Sequence, residues 1–216
     1  MKTKTSRTLV TTASLIAAVW VCEPAFAQAP AGTTPAIKET ADAPAKEKKP
    51  DVIFVPTPRP GVEKMLELAE IKPGDVVYDL GCGDGRIVVA AAKRYGVRAM
   101  GFDIDPQRVR ESIENVKSNK VEHLVTIRQA DIFTLDLTPA SVVTLYLLPE
   151  LNVRLMPQLE KLKPGSRIVS HDFDMRGAKP LVVHQMTGSD NGNGEGYEGG
   201  QHTVYKWVVP WEKEER

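Results

Sequence analysis

A chain of 216 residues is long enough for one sizeable hydrophobic core and too short for two. Its 28 basic and 28 acidic side chains cancel, so there is no electrostatic ground for a nucleic-acid partner, and none is expected. Two cysteines exclude a disulfide-rich scaffold.

The chain opens with a targeting signal. Lys2, Lys4 and Arg7 form a basic start, and Leu9 to Val21 is an apolar run too short to span a bilayer comfortably. Ala25-Phe26-Ala27 is a small-x-small cleavage site. Residues 1–27 therefore read as a secretory signal peptide, and a periplasmic or secreted location is expected. The alternative is an uncleaved anchor; if the signal reading fails, the location is cytoplasmic. Bulky Trp20 and Val21 precede Cys22, which argues against a lipoprotein cysteine. Cleavage would leave 25 basic and 27 acidic residues, Cys82 as the one cysteine, and no transmembrane span. Residues 28–50 are rich in Ala, Pro, Lys, Glu and Thr, with Ile37 the one large apolar side chain. Such a segment cannot bury enough surface to order itself and reads as a disordered linker. Residues 51–216 are left as the folded domain.

Prolines 56, 58 and 60 hold the start of that domain extended. The Val55-Pro56-Thr57-Pro58 stretch is either a helix lead-in or a flap over a ligand, with Thr57 able to hydrogen-bond a carboxylate. Val62, Met65, Leu66 and Ala69 then fall at helical spacing over residues 61–70. Next comes Val76-Val77-Tyr78-Asp79-Leu80-Gly81-Cys82-Gly83-Asp84-Gly85-Arg86, an apolar strand turning through three alternate glycines into a helix. Glycines let a backbone approach a ligand closely, and the helix start offers N–H groups and a positive dipole end. Arg86 stands where a dinucleotide fingerprint would place its third glycine, which points away from NAD or FAD and toward a smaller ligand.

The second strand, residues 98–103, ends at Asp103, where doubly wound folds place the acid that accepts from ribose hydroxyls. Asp105-Pro106 follows as N-cap and first helical residue, with Val109, Ile113 and Val116 on the buried face. A third strand covers residues 124–129, with Asp131 just beyond it. A fourth covers 141–148. Leu151, Leu155, Leu159 and Leu162 continue as a helical core stripe, with Pro157 restarting the helix. Residues 166–170, 181–186 and 203–209 read as the fifth, sixth and seventh strands, and Gly188 to Gly200 as a polar loop. His123, His184 and His202 show no ligand spacing, so no metal site is expected.

Asp79-x-Gly81-x-Gly83-x-Gly85 resembles motif I of the class I S-adenosylmethionine-dependent methyltransferases. Together with Val55-Pro56-Thr57-Pro58, Leu145-Tyr146-Leu147-Leu148-Pro149 and Ser170-His171-Asp172-Phe173, it resembles one subgroup. That subgroup is the protein-lysine methyltransferases of the mitochondrial ADP/ATP carrier and ATP synthase c subunit, with their bacterial relatives. The resemblance spans residues 52 to about 176. It implies an α/β, doubly wound Rossmann-like sheet of seven strands in the order 3-2-1-4-5-7-6, with strand 7 antiparallel. It implies S-adenosyl-L-methionine as cofactor, held by Thr57, Asp79, Gly81, Gly83, Gly85, Asp103, Ile104, Asp131 and Ile132. In that family the acid corresponding to Asp131 accepts from the adenine amino group, and Ile104 and Ile132 would sandwich the purine.

Methyl transfer is an in-line attack in which positioning supplies much of the rate. A lysine acceptor, with a free pKa of about 10.4, must first be made neutral. His171 and Asp172 are the candidates to take the proton or orient the amine, with Tyr146 as an aromatic wall or hydroxyl acceptor. The alternative role for His171 is only to hydrogen-bond its loop. The expected acceptor is a protein lysine. The alternatives are a small-molecule acceptor, or an exported, non-enzymatic relative that keeps the fold.

Overall fold

The computed structural model describes residues 54–187 and 200–214. The signal-peptide and linker segments read from the sequence, 1–27 and 28–50, lie outside the described residues, as does most of the 188–200 loop. Seven strands form one sheet: β1 Val76–Leu80, β2 Arg98–Asp103, β3 Val125–Gln129, β4 Val142–Leu145, β5 Arg167–His171, β6 Val182–Thr187 and β7 Gln201–Val208. Their order is β3-β2-β1-β4-β5-β7-β6, and β7 runs antiparallel to both β5 and β6. Both features are those the resemblance implies.

Among the described residues, four α-helices cover the sheet: α1 Arg59–Leu68, α2 Arg86–Tyr95, α3 Pro106–Ser118 and α4 Pro149–Leu159. Alternation along each strand divides the core in two, because successive strand side chains face opposite ways. Val77, Val142, Val169 and Val204 pack with Met65 and Leu66 of α1 and Val88 and Ala92 of α2. Their neighbours Tyr78, Val143 and Ile168 face the other layer, with Leu155 and Leu159 of α4 and Trp207 of β7. Trp207 is fully buried, and its Nε1–H donates to the Ala178 carbonyl at 2.9 Å. Trp207→Ala is expected to cost about 3–5 kcal/mol in urea denaturation, since it opens a large cavity and frees a buried carbonyl.

Two elements differ from the sequence reading. β4 stops at Leu145, where its pairing with β1 and β5 also stops. Residues 146–148 leave the sheet and lead into Pro149, the first residue of α4. Pro157 does not restart the helix; it sits inside α4. The carbonyl that loses its partner belongs to Val153, on the exposed side of the helix where water can replace the bond. The amino ends of β1, β4 and β5 are tied by Asp75, which accepts from Ser141 Oγ at 2.7 Å and is paired with Arg167. That cluster lies at the opposite strand ends from the cleft described next.

Candidate active site

The cleft lies outside the carboxyl ends of β1 to β4, where open α/β sheets bind ligands. It encloses about 960 Å³, part of it continuous with solvent. Its floor is the turn after β1. Gly81 and Cys82 N–H both donate to the Phe102 carbonyl, at 2.8 and 2.9 Å, so the turn is clamped to the end of β2. Gly81 and Gly83 take φ of +79° and +55°, the left-handed region that glycine enters at no cost. A Cβ on Gly83 would lie 2.0 Å from a Phe54 ring carbon, so this turn also admits close packing from above. Gly85, at φ +76°, is the N-cap of α2. Ser112 of α3 donates to the Gly83 carbonyl at 2.6 Å and locks the turn from the side.

Three carboxylates stand at the ends of adjacent strands. Asp79 on β1 is 2% exposed. Its Oδ1 accepts from Thr144 Oγ at 2.6 Å, while Oδ2 is buried without a hydrogen-bond partner. Burial is the main reason its pKa rises to about 7; the Thr144 bond opposes the rise, and Asp103 and Asp84 add to it. Asp103 on β2 accepts from Gly83 N–H at 2.9 Å through Oδ2 and from Asp105 N–H at 2.9 Å through Oδ1. Its pKa is also raised, again chiefly by burial, against the pull of those backbone bonds. Asp131 follows β3 and caps a short 3-10 helix, Ile132–Thr134, accepting from Phe133 N–H. Asp105, by contrast, is the N-cap of α3 and accepts from Gln107 N–H at 2.7 Å.

Of the residues singled out in the sequence, Thr57, Asp79, Gly81, Asp103, Ile104, Asp131, Ile132 and Tyr146 line this cleft. Gly83 and Gly85 shape the turn beneath it. His171 and Asp172 do not line it; they stand behind Tyr146, whose ring meets the His171 ring edge-on at 4.4 Å and stacks on Phe173 at 5.9 Å. His171 is fully buried. Burial pushes its pKa down to about 4, against the opposing pull of Asp172.

Other lining residues were not given a ligand role in the sequence. Phe54 roofs the cleft, with Arg108 stacked on its ring at 4.7 Å. Arg86 donates to Asp84 through Nε and a terminal nitrogen, and to the Thr57 carbonyl at 2.9 Å, tying the 54–58 strap to the glycine turn. Leu151, assigned to the core stripe, is half-buried, packs against that core and also lines the cleft. Arg86 alone carried a signal, as the non-glycine residue after the turn.

His202 also departs from the sequence expectation. The β5–β7 pairing brings it to Asp172 and His171, and donor atoms of the three lie within 4.8 Å of one another. The two imidazoles stack nearly parallel, 12° apart. Their in-plane lone pairs therefore do not converge as metal ligation requires, and the cluster reads as a hydrogen-bonded one.

The cleft thus offers a buried carboxylate oxygen without a hydrogen-bond partner, the Asp103 carboxylate, and the apolar side chains of Ile104 and Ile132. A ligand with an ammonium, a ribose and a flat base fits all three. Residues 79–182 match the ANTKMT methyltransferase domain. A protein-lysine N-methyltransferase of Saccharolobus islandicus is 44% identical over 162 residues, which is 74% of this chain and 95% of that protein. A ribosomal protein L11 methyltransferase of Geobacillus kaustophilus is 33% identical, over 57% of this chain and 41% of its own length. Among solved structures, an RNA methyltransferase from Salinibacter ruber in complex with S-adenosyl-L-homocysteine shares 45% identity and a TM-score of 0.63, covering 75% of this chain and 98% of that one.

Proposed function

The chain belongs to the class I S-adenosylmethionine-dependent methyltransferases, and from that premise we propose that it methylates an amine, the side chain of a protein lysine. S-adenosylmethionine supplies the methyl group, carried on a sulfonium. In this reading Asp103 accepts from the ribose hydroxyls and Asp79 Oδ2 from the ammonium of the donor. Asp131 accepts from the adenine amino group, between the apolar faces of Ile104 and Ile132. Gly81, Gly83 and Gly85 bring the backbone close, and Thr57 and Phe54 close the cleft from above.

The observation that carries the amine reading is the wall at the end of β4. Tyr146 presents its ring to the cleft, backed by Phe173 and His171, with the Asp172 carboxylate behind. Aromatic faces and a nearby carboxylate attract an ammonium and would hold its stem by packing. The lysine-specific name of the Saccharolobus relative supports the same acceptor. The Salinibacter protein is titled as acting on RNA, which makes RNA the second acceptor to test. A balanced formal charge speaks against it here, because phosphate backbones are bound through an excess of Lys and Arg.

The test is transfer from methyl-labelled donor into a lysate of the source cells, followed by separation of protein, RNA and organic extract. Label on protein, located at lysine Nε by mass spectrometry, is the expected result. Label in RNA or in the organic extract would overturn the lysine reading. We also infer export through residues 1–27, the signal read from the sequence. Blotting fractionated cells should find a shortened chain outside the cytoplasm, and a full-length cytoplasmic protein would exclude export.

A further inference from the structure

Behind Tyr146, two elements far apart in sequence build a pair of proton-handling groups. β5 ends at His171, and Asp172 follows with φ +59°. The neighbouring strand β7 passes this turn in antiparallel register. Asp172 N–H donates to the Thr203 carbonyl at 2.7 Å, and Thr203 N–H donates back to Asp172 Oδ1 at 2.9 Å. With Oδ1 so held, Oδ2 meets His202 Nδ1 at 2.7 Å, and His171 Nε2 lies 3.6 Å from the same oxygen. The imidazoles of His171 and His202 stack at 5.2 Å. Their exposures differ: His171 is sealed, whereas the side chains of His202 and Asp172 keep 22% and 20% of their surface in contact with solvent.

An amine acceptor must shed a proton before it can react. R–NH3⁺ loses H⁺ to a base, leaving R–NH2. The nitrogen lone pair then forms the N–C bond while the C–S bond breaks, and that bond's electron pair stays on sulfur. The positive charge passes from the sulfonium to the methylated ammonium. The proton lost in the first step needs a destination that communicates with water.

Two neighbours are poor destinations. Burial, reinforced by the Asp172 charge, pushes the Tyr146 phenol up, so it remains a neutral hydroxyl. His171 is held neutral by its burial. We propose that the Asp172–His202 pair receives the proton shed by the acceptor amine and returns it to solvent, Asp172 orienting the imidazole and steadying its cationic form. The proposal rests on the amine reading. The groups facing the pair are His171 at the end of β5, Tyr146 after β4 and Tyr205 on β7. The Asp172 carboxylate, hydrogen-bonded to His202, thus favours a transient cation there. His202 is a proton-accepting and positioning residue; it does not line the donor cleft.

The test uses the purified full-length chain, labelled donor, and total protein of the source cells as acceptor, counting label at lysine Nε from pH 6.5 to 9.5. His202→Asn keeps a donor toward Asp172 and cannot take up a proton. It is expected to slow transfer about 100-fold at pH 7, with the deficit closing to about threefold at pH 9.5, where more acceptor amine is already neutral. Asp172→Asn should show the same converging profile, and the double variant should be no slower than the worse single, because the two act as one unit. Calorimetric affinity for S-adenosylhomocysteine should be unchanged in all three. A deficit constant across pH, or lost donor affinity, would make the cluster structural and overturn the proposal. So would activity lost to EDTA and restored by zinc. If wild type binds S-adenosylhomocysteine yet labels no lysine at any pH, the amine reading falls and the proposal with it.

Discussion

Asp103→Ala is expected to raise the dissociation constant for S-adenosylhomocysteine about 100-fold. Asp103 ends β2 with one carboxylate oxygen on Gly83 N–H and the other on Asp105 N–H. Each oxygen retains a further lone pair and the residue lines the cleft, so the same side chain can accept from a vicinal diol. Hydrogen bonds to a charged group contribute about 1.5–3 kcal/mol each. Losing two and slackening the turn at Gly83 amounts to about 3 kcal/mol, and each 1.4 kcal/mol is about tenfold in affinity. Asp103→Asn keeps one acceptor oxygen and should fall between wild type and alanine. Calorimetry on folded variants checks both, and unchanged affinity in Asp103→Ala would remove this residue from the donor site.

Asp79→Asn should change the pH dependence of both stability and binding. The Asp79 carboxyl titrates near 3.8 in the unfolded chain and at about 7 when folded. The folded protein therefore holds a proton that the unfolded chain has released, and unfolding sheds it. Stability from this group is complete below pH 4, declines as pH rises toward 7, and is lost above it. At about 1.4 kcal/mol per pH unit, the decline is about 4 kcal/mol. Asparagine does not titrate, so the stability difference between variant and wild type should move by about that amount in the variant's favour between pH 4 and pH 8. Urea denaturation at several pH values measures it, and parallel curves would contradict it.

Binding should move the other way. An ammonium placed against Asp79 Oδ2 favours the ionised carboxylate. Donor binding near pH 6 should therefore release a proton, visible as a dependence of the calorimetric heat on buffer ionisation. Asp79→Asn should lose both that release and at least about tenfold in affinity.

The parts of this site that could be read from the sequence are those built from a single stretch of chain. Strand, glycine turn and helix follow one another from Val76 to Tyr95, so the local pattern contains the geometry. Asp103 and Asp131 were legible because one ends and the other follows a strand of a parallel sheet, and such strands end on the ligand side. The distinction between Asp103 and Asp105 was legible too, since a following proline marks the cap.

What was not legible depends on contacts between distant segments. His202 reaches Asp172 only through the β5–β7 register, across 30 residues of chain. Phe54 reaches Gly83 only when the proline strap folds back over the turn. The end of β4 depends on where its neighbours stop, not on its own apolar run, which continues to Leu148. Pro157 fits inside α4 because Val153 faces water, and that orientation is a property of the packed helix.

The most direct test of the donor cleft is a calorimetric titration of the full-length wild-type chain with S-adenosylhomocysteine and, in parallel, with NAD. One-to-one, micromolar binding of S-adenosylhomocysteine and no heat from NAD is the result expected of a cleft with Asp79, Asp103 and Asp131 at its strand ends. Binding of NAD, or no binding of S-adenosylhomocysteine by folded protein, would contradict it.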